Sequence, residues 1–199
     1  MTTDTLDFDA TRTDASVRFA GFGVRLGATV IDYLVLLPFI GAVTYFTMFS
    51  PNFSMLALTS ILSLLYKPVM EGIYGATVGK MATKIKVVAK ENEPITLSQS
   101  FLRAAPWLVA GIVGLYFNYL IFQIPGIENA DGFMEYGLIV AEHQAEQGTS
   151  LNTILQQSIA WLPLVSALVM LGNKRKQAAH DLLAETYVVY KDPAPGSLM

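Results

Sequence analysis

The chain has 199 residues, of which 53% are hydrophobic and only 15% are charged, and its formal net charge is −3. Soluble domains carry about 25% charged residues, so the composition argues against an ordinary soluble protein. The absence of cysteine excludes disulfides, thiolate metal sites and cysteine nucleophiles. The two histidines, His143 and His180, lie far apart in the sequence, so we expect neither a metal site nor a cofactor.

Four apolar blocks are each long enough to cross a bilayer. A hydrocarbon core of about 30 Å takes about 20 helical residues. The blocks predict membrane-spanning helices at about 24–49, 53–73, 103–124 and 152–171. We therefore expect an all-α integral membrane protein with four transmembrane helices in two hairpins.

Lysine and arginine are distributed very unevenly along the chain. All thirteen lie near the start of the first block, between the late second and early third blocks, or after the fourth, and segment 125–151 has none. The positive-inside rule then predicts that both termini and loop 74–102 are cytoplasmic, with 125–151 outside. Residues 1–18 carry four aspartates and no apolar core, so we interpret them as a cytoplasmic tail and not as a signal peptide.

The stretch GATVGK at 75–80 raises the question of nucleotide binding. A phosphate-binding loop requires glycine where this chain has Tyr74, and serine or threonine where it has Met81. It also follows a strand, whereas this stretch follows an apolar helical run. We therefore expect neither a nucleotide nor a nucleic acid as partner, and we interpret 75–80 as the turn at the cytoplasmic end of the second span.

Two short segments between and after the spans have the composition of strands. TKIKVVAK at 83–90 and the residues that follow it predict a small cytoplasmic β-hairpin, and ETYVVYK at 185–191 could join it as a third strand. Thr96 and Gln99 have the spacing of a capping box that opens the helix into the third span.

The acidic outer segment predicts a short extracytoplasmic amphipathic helix. In DGFMEYGLIVAEHQAEQ, the helical spacing places Phe133, Tyr136, Val140 and Ala141 near one face. We expect the charges of this segment to form a solvated face.

Charged residues inside the first two spans are the candidate functional residues. Asp32 lies about 12 Å along the first span, where an acid is costly unless it is paired, hydrated or protonated. Arg25 precedes it by seven residues on the same face, and a contact between them could be direct or bridged. Lys67 and Glu71 lie at i and i+4 near the end of the second span. They form either a local helix-surface pair or part of a network with Arg25 and Asp32.

Three stretches in this order resemble the RDD family of bacterial membrane proteins. These are FGVRLGATVIDYLVL in the first span, YKPVMEGIYGATVGKMATKIKVV after the second, and KRKQAAHDLLAETYVV after the fourth. The resemblance implies that Arg25 is the family arginine and that Asp32 and Asp181 are its two aspartates. It also implies the inner (plasma) membrane of a bacterial cell. The departures are Val78, where proline is common, and Glu185, where glycine is common.

The resemblance implies a small transporter, and some family members are credited with monovalent cation/proton antiport. In that interpretation Arg25, Asp32 and Asp181 carry ion coupling, with Lys67 and Glu71 as a possible network. Four spans leave little room for a pathway within one chain, so we expect a homo-oligomer.

A scaffold or regulatory subunit of a larger complex is the alternative, and Asp181 would then be a helix cap or the partner of a nearby cation. An enzyme is not expected, because no nucleophile–base pair or metal cluster is evident. We divide the chain into a tail (1–18), an RDD-like membrane domain (19–190) and a second tail (191–199).

Overall fold

The computed structural model describes residues 18–147, 158, 161–172 and 175–191. The predicted tails, apart from residues 18 and 191, and almost all of the first half of the predicted fourth span lie outside the described residues. In chain order the helices and strands are α1 (Phe22–Thr44), α2 (Phe53–Tyr74), α3 (Val78–Ala82), β1 (Ile85–Val88), α4 (Leu97–Ile121), α5 (Phe133–Gln147), α6 (Leu162–Gly172), α7 (Ala179–Leu183) and β2 (Tyr187–Tyr190).

Three helices of the described part are long and apolar enough to cross a membrane. They are α1 with its π-helical extension at Tyr45–Phe49, then α2, then α4. The first two agree closely with the predicted spans, whereas α4 begins six residues before the predicted 103. Of the predicted fourth span, the structure describes α6, whose eleven residues cover only its second half.

Side-chain and glycine caps set the limits of α2. The Asn52 side chain accepts a hydrogen bond from the Met55 amide at 3.1 Å and so begins the helix. Gly75 ends it with a left-handed backbone, φ 69°, from which its amide donates to the Glu71 carbonyl at 2.8 Å. The glycine at the start of the GATVGK stretch is therefore a helix terminator.

The capping box predicted for the third span is confirmed, and it explains the early start of α4. The Thr96 hydroxyl accepts from the Gln99 amide at 3.2 Å, and the Gln99 side chain accepts from the Thr96 amide at 3.0 Å. Two backbone donors that would have no helical partner are thereby satisfied.

A two-stranded antiparallel sheet lies beside the helix ends. Strand β1 pairs with β2 from Ile85↔Tyr190 to Val88↔Tyr187. The predicted hairpin is reduced to one bridge between Val88 and Pro94, because proline has no amide to donate and Thr96 already caps α4. The C-terminal run therefore supplies the main partner of β1, and the sheet has two strands.

Segment 125–151 contains the predicted helix, but its buried face differs from the prediction. In α5, Tyr136 is buried, and Val140 packs with it against the turn after α4. Phe133 and Ala141, which were expected on the same face, are exposed.

Helices α1 and α3 approach each other so closely that only glycine fits at one position. A Cβ atom on Gly79 would lie 1.9 Å from the Ala28 carbonyl oxygen and 2.9 Å from the Asp32 side-chain carbon. The first of these contacts is with backbone, which cannot rotate away. The glycine of the Gly-Lys pair therefore sets the distance between these two helices.

We expect Gly79→Ala to destabilise the fold by about 3 kcal/mol or more, because overpacking against backbone must move an element. Gly114→Ala is the matched control, since a Cβ atom there would meet nothing within 4 Å. That change should be neutral or stabilise by up to about 1 kcal/mol. Thermal unfolding in detergent compares the two, and equal stability of both variants would contradict the close approach.

Candidate functional site

Arg25 lies near the start of α1 and uses all of its guanidinium nitrogens. Its Nη1 lies 2.5 Å from Oδ2 of Asp181, which follows it by 156 positions. Its Nη2 donates to the Lys176 carbonyl at 2.7 Å, and its Nε donates to the Ala20 carbonyl at 3.0 Å. The structure thus joins two of the three residues that the family resemblance singled out, Arg25 and Asp181.

Asp181 is fully buried in α7 and lies between two guanidinium groups. Its Oδ1 is 2.9 Å from Nη2 of Arg103, and its Oδ2 also accepts from the Ala178 amide at 3.1 Å. Burial by itself would raise the pKa of Asp181, but the guanidinium groups of Arg103 and Arg25 hold it below its ordinary value. Asp181 is therefore an ionised helix cap and ion-pair partner.

A second buried acid, Glu71, continues the chain of charges toward α3. Its Oε1 lies 2.5 Å from Nζ of Lys80, and its Oε2 lies 3.3 Å from Nε of Arg103. Burial lowers the pKa of Lys80 to about 8, against the opposing effect of Glu71. Arg103 bridges the two buried acids, and its Nη1 also donates to the Thr186 hydroxyl at 3.2 Å.

We call this set the charged layer, and it consists of Arg25, Glu71, Lys80, Arg103 and Asp181. It draws on the start of α1, the end of α2, the start of α4, and both short helices α3 and α7. No Asp, Glu, Lys or Arg occurs in the remaining parts of the three candidate spans, 33–49, 53–66 and 104–121. The charged layer therefore lies at one end of the bundle.

Asp32 is held separately, by neutral donors. Its Oδ1 accepts from the Tyr66 hydroxyl and the Gly79 amide, each at 2.8 Å, and its Oδ2 accepts from the Thr77 hydroxyl at 2.7 Å. The Tyr66 hydroxyl in turn accepts from the Val78 amide at 3.1 Å. The start of α3 thus directs its donors at a carboxyl group that the chain itself supplies.

The contact between Arg25 and Asp32 that the heptad spacing suggested is not formed. The donors of Arg25 face Asp181 and two carbonyl groups, while Asp32 faces α2 and α3. Glu71 is linked to Arg25 through Arg103 and Asp181, and Asp32 takes no part in that link. Among the described residues, Lys67 forms no ion pair, so it lies near the charged layer without joining it.

His180 borders the charged layer in its neutral form. Burial lowers the pKa of His180 to about 3 despite the neighbouring carboxylate of Asp181. Its Nδ1 lies 2.9 Å from the Ser166 hydroxyl of α6, and its Nε2 lies 3.3 Å from Oδ1 of Asp181. The Trp107 ring packs against it edge-on, with centroids 6.3 Å apart. The imidazole therefore ties α6 to α7 without carrying charge at neutral pH.

Comparisons with known proteins give a family match over most of the chain. The family model of the RDD family matches residues 19–185. A protein of Bacillus subtilis (strain 168), "Uncharacterized protein YckC", is 28% identical over 182 residues, which cover 90% of this chain and 89% of that protein. No solved structure gives a significant match.

Sequence reasoning overlooked Arg103 and Lys80 as members of the charged layer. The sequence placed Lys80 only in the turn after the second span and Arg103 only at the predicted start of the third, yet both side chains are buried. One clue was available, because the capping box at Thr96 places Arg103 almost two turns inside α4. A charge at that depth requires a partner.

We expect Glu71→Gln to destabilise the protein by about 3–5 kcal/mol, because it leaves the buried Lys80 and Arg103 without their shared carboxylate. Glu185→Gln is the matched control, since Glu185 forms an exposed pair with Lys90 at 2.7 Å and should change stability little. Thermal unfolding in detergent measures both, and a Glu71→Gln protein as stable as the control would show that the pairing contributes nothing.

Proposed function

Because the chain belongs to the RDD family, we propose that it is a multi-pass protein of the bacterial inner (plasma) membrane, with the charged layer on the cytoplasmic side. The supporting observation is the distribution of the thirteen lysines and arginines, none of which lies in 125–151. Both termini would then be cytoplasmic, and α5 would lie outside.

The orientation can be tested with single cysteines in a chain that has none of its own. Glu93 precedes α4 and Glu135 lies in α5, and both side chains are exposed. A membrane-impermeant thiol reagent added to intact cells should label Glu135→Cys and should label Glu93→Cys only after the membrane is opened. The reverse pattern would overturn the orientation.

We further propose that the chain is a non-transport membrane module, which anchors a small folded unit at the cytoplasmic face as a scaffold or regulatory subunit of a larger complex. The observation that carries this proposal is that both buried acids of the charged layer are bound by cations of the same chain. Glu71 is bound by Lys80 and Arg103, and Asp181 by Arg25 and Arg103. An acid that is paired with side-chain cations of its own chain stabilises a fixed geometry, and it does not offer a site to a transported cation.

The distribution of charge along the spans supports the same proposal. A transport route needs polar groups from one face of the membrane to the other. Beyond the charged layer and Asp32, several hydroxyl groups in the spans donate to carbonyl groups of their own helix and so do not line a route. Thr47 donates to the Val43 carbonyl at 2.7 Å, and Thr59 donates to the Met55 carbonyl at 2.8 Å. We propose no catalytic role, since the sequence shows no evident nucleophile–base pair or metal cluster.

Exchange of monovalent cations for protons is the second candidate, and one observation favours it. In the described part of the chain, Asp32 has no ion-pair partner, and it is only half-buried within a candidate span. A homo-oligomer would supply the walls of a pathway that one chain lacks. In that case Asp32, and not the charged layer, would be the coupling carboxylate.

Proteoliposomes distinguish the two candidates through Asp32→Asn. For a scaffold, we expect the wild type to pass Na⁺, K⁺ and protons no faster than empty liposomes. Asp32→Asn should then lose about 1–3 kcal/mol of stability, because an amide cannot accept all three hydrogen bonds. Asp131→Asn, an exposed acid beside α5, is the control. Wild-type exchange that disappears in Asp32→Asn while stability is retained would reject the scaffold and establish the exchanger.

A further inference from the structure

Helix α5 has two apolar stripes, of which the protein buries only one. Tyr136, Ile139 and Val140 pack with Met48 and Ile124 in a small core beyond the ends of α1 and α4. Their spacing of three and four residues defines the inner stripe, which fixes the helix to the bundle.

The second stripe is exposed. Phe133, Met134 and Leu138 have 61%, 75% and 68% of their surface accessible. Met134, Leu138 and the exposed Ala141 and Ala145 follow one another at spacings of four, three and four residues, and we call these four residues the outer stripe. Phe133 precedes the outer stripe at the start of the helix. Monomeric proteins rarely expose contiguous large apolar side chains without a function for them.

The carboxylates of α5 lie on a third line along the helix. Glu135, Glu142 and Glu146 recur at spacings of seven and four residues, and all are exposed. None of them falls on the outer stripe. The helix thus separates an uncharged apolar surface from an acidic one, as a helix lying along a membrane surface does.

The position of α5 connects the outer stripe to the lipid-facing surface of the spans. The helix contacts the π-helical turn Tyr45–Phe49, which ends the first candidate span opposite to the charged layer. The rings of Tyr45 and Phe49 stack with centroids 6.4 Å apart, and both are about half exposed. The Phe49 ring approaches Gly132, directly before Phe133, so the exposed apolar surface continues from the span onto the start of α5.

From this geometry we infer that α5 lies in the bilayer interface, with its outer stripe inserted among lipid acyl chains beside Tyr45 and Phe49. Tyrosine and phenylalanine at a span end belong to the level of the head groups, which is the depth an interfacial helix occupies. Such helices usually carry lysine or arginine to attract anionic lipid, and α5 has neither. It does not need them, because its connection to α4 already holds it at the membrane.

This inference does not depend on the proposed function, and the cysteine-free chain allows a direct test. Met134→Cys and Leu138→Cys place a probe on the outer stripe, and Glu135→Cys and Glu142→Cys are controls on the acidic line of the same helix. Each full-length protein carries a bimane label in phosphatidylcholine liposomes. Quenching is measured with aqueous iodide and with lipids brominated on the acyl chain. Circular dichroism and gel filtration verify that every variant is folded.

We expect several-fold stronger quenching by brominated lipid, and several-fold weaker quenching by iodide, at 134 and 138 than at 135 and 142. Blue-shifted bimane emission at 134 and 138 should accompany this difference. Equal iodide quenching at all four positions would overturn the inference, because the outer stripe would then face water. Protection of 134 and 138 from both quenchers, with disulfide formation between unlabelled Leu138→Cys chains, would overturn it in favour of a second copy of the helix.

Discussion

The ion pairs of Asp181 with Arg25 and Arg103 are the contacts on which the charged end of the bundle depends. A carboxylate with no exposed surface would be strongly destabilising by itself, and the same holds for the buried guanidinium of Arg103. Their contacts compensate these costs only when α1, α4 and α7 are all in place. The pairing therefore specifies how three elements from distant parts of the chain meet, more than it adds to stability.

Other features at this end follow from that arrangement. With α7 docked, Thr186 contacts Arg103 and leads directly into β2, whose pairing partner β1 leaves α3 by a short turn. Helix α3 is held against α1 by the contact at Gly79 and by the hydrogen bonds that Asp32 accepts. The two aspartates of the family pattern thus hold different halves of one assembly, Asp181 through ion pairs and Asp32 through neutral donors.

Features that depend on neighbouring residues followed from the sequence, whereas contacts between distant residues did not. The three candidate spans, the cap at Thr96 and the turn at Gly75 depend on neighbouring residues, and these were predictable. The partner of Arg25 was not, because helical spacing favoured Asp32 at seven residues while the real partner is 156 positions away. Periodicity likewise identified α5 but not its buried face. Tyr136 shares one possible apolar face with Phe133 and another with Ile139, and the sequence does not decide between them. The face that is buried depends on the position of Ile124, which the turn after α4 brings against Tyr136.

The distance along the chain between Arg25 and Asp181 also has a consequence for biosynthesis. The first span leaves the ribosome long before α7 is made. Until then Arg25 has no carboxylate partner, and Arg103 has only that of Glu71. Strand β1 likewise has no pairing partner until β2 is made. The charged end of the protein can therefore close only after α7 and β2 emerge. A nascent chain stopped before them keeps Arg25 without a carboxylate partner and Arg103 with Glu71 alone. Closure of the charged layer therefore distinguishes chains that already contain α7 from chains that stop before it.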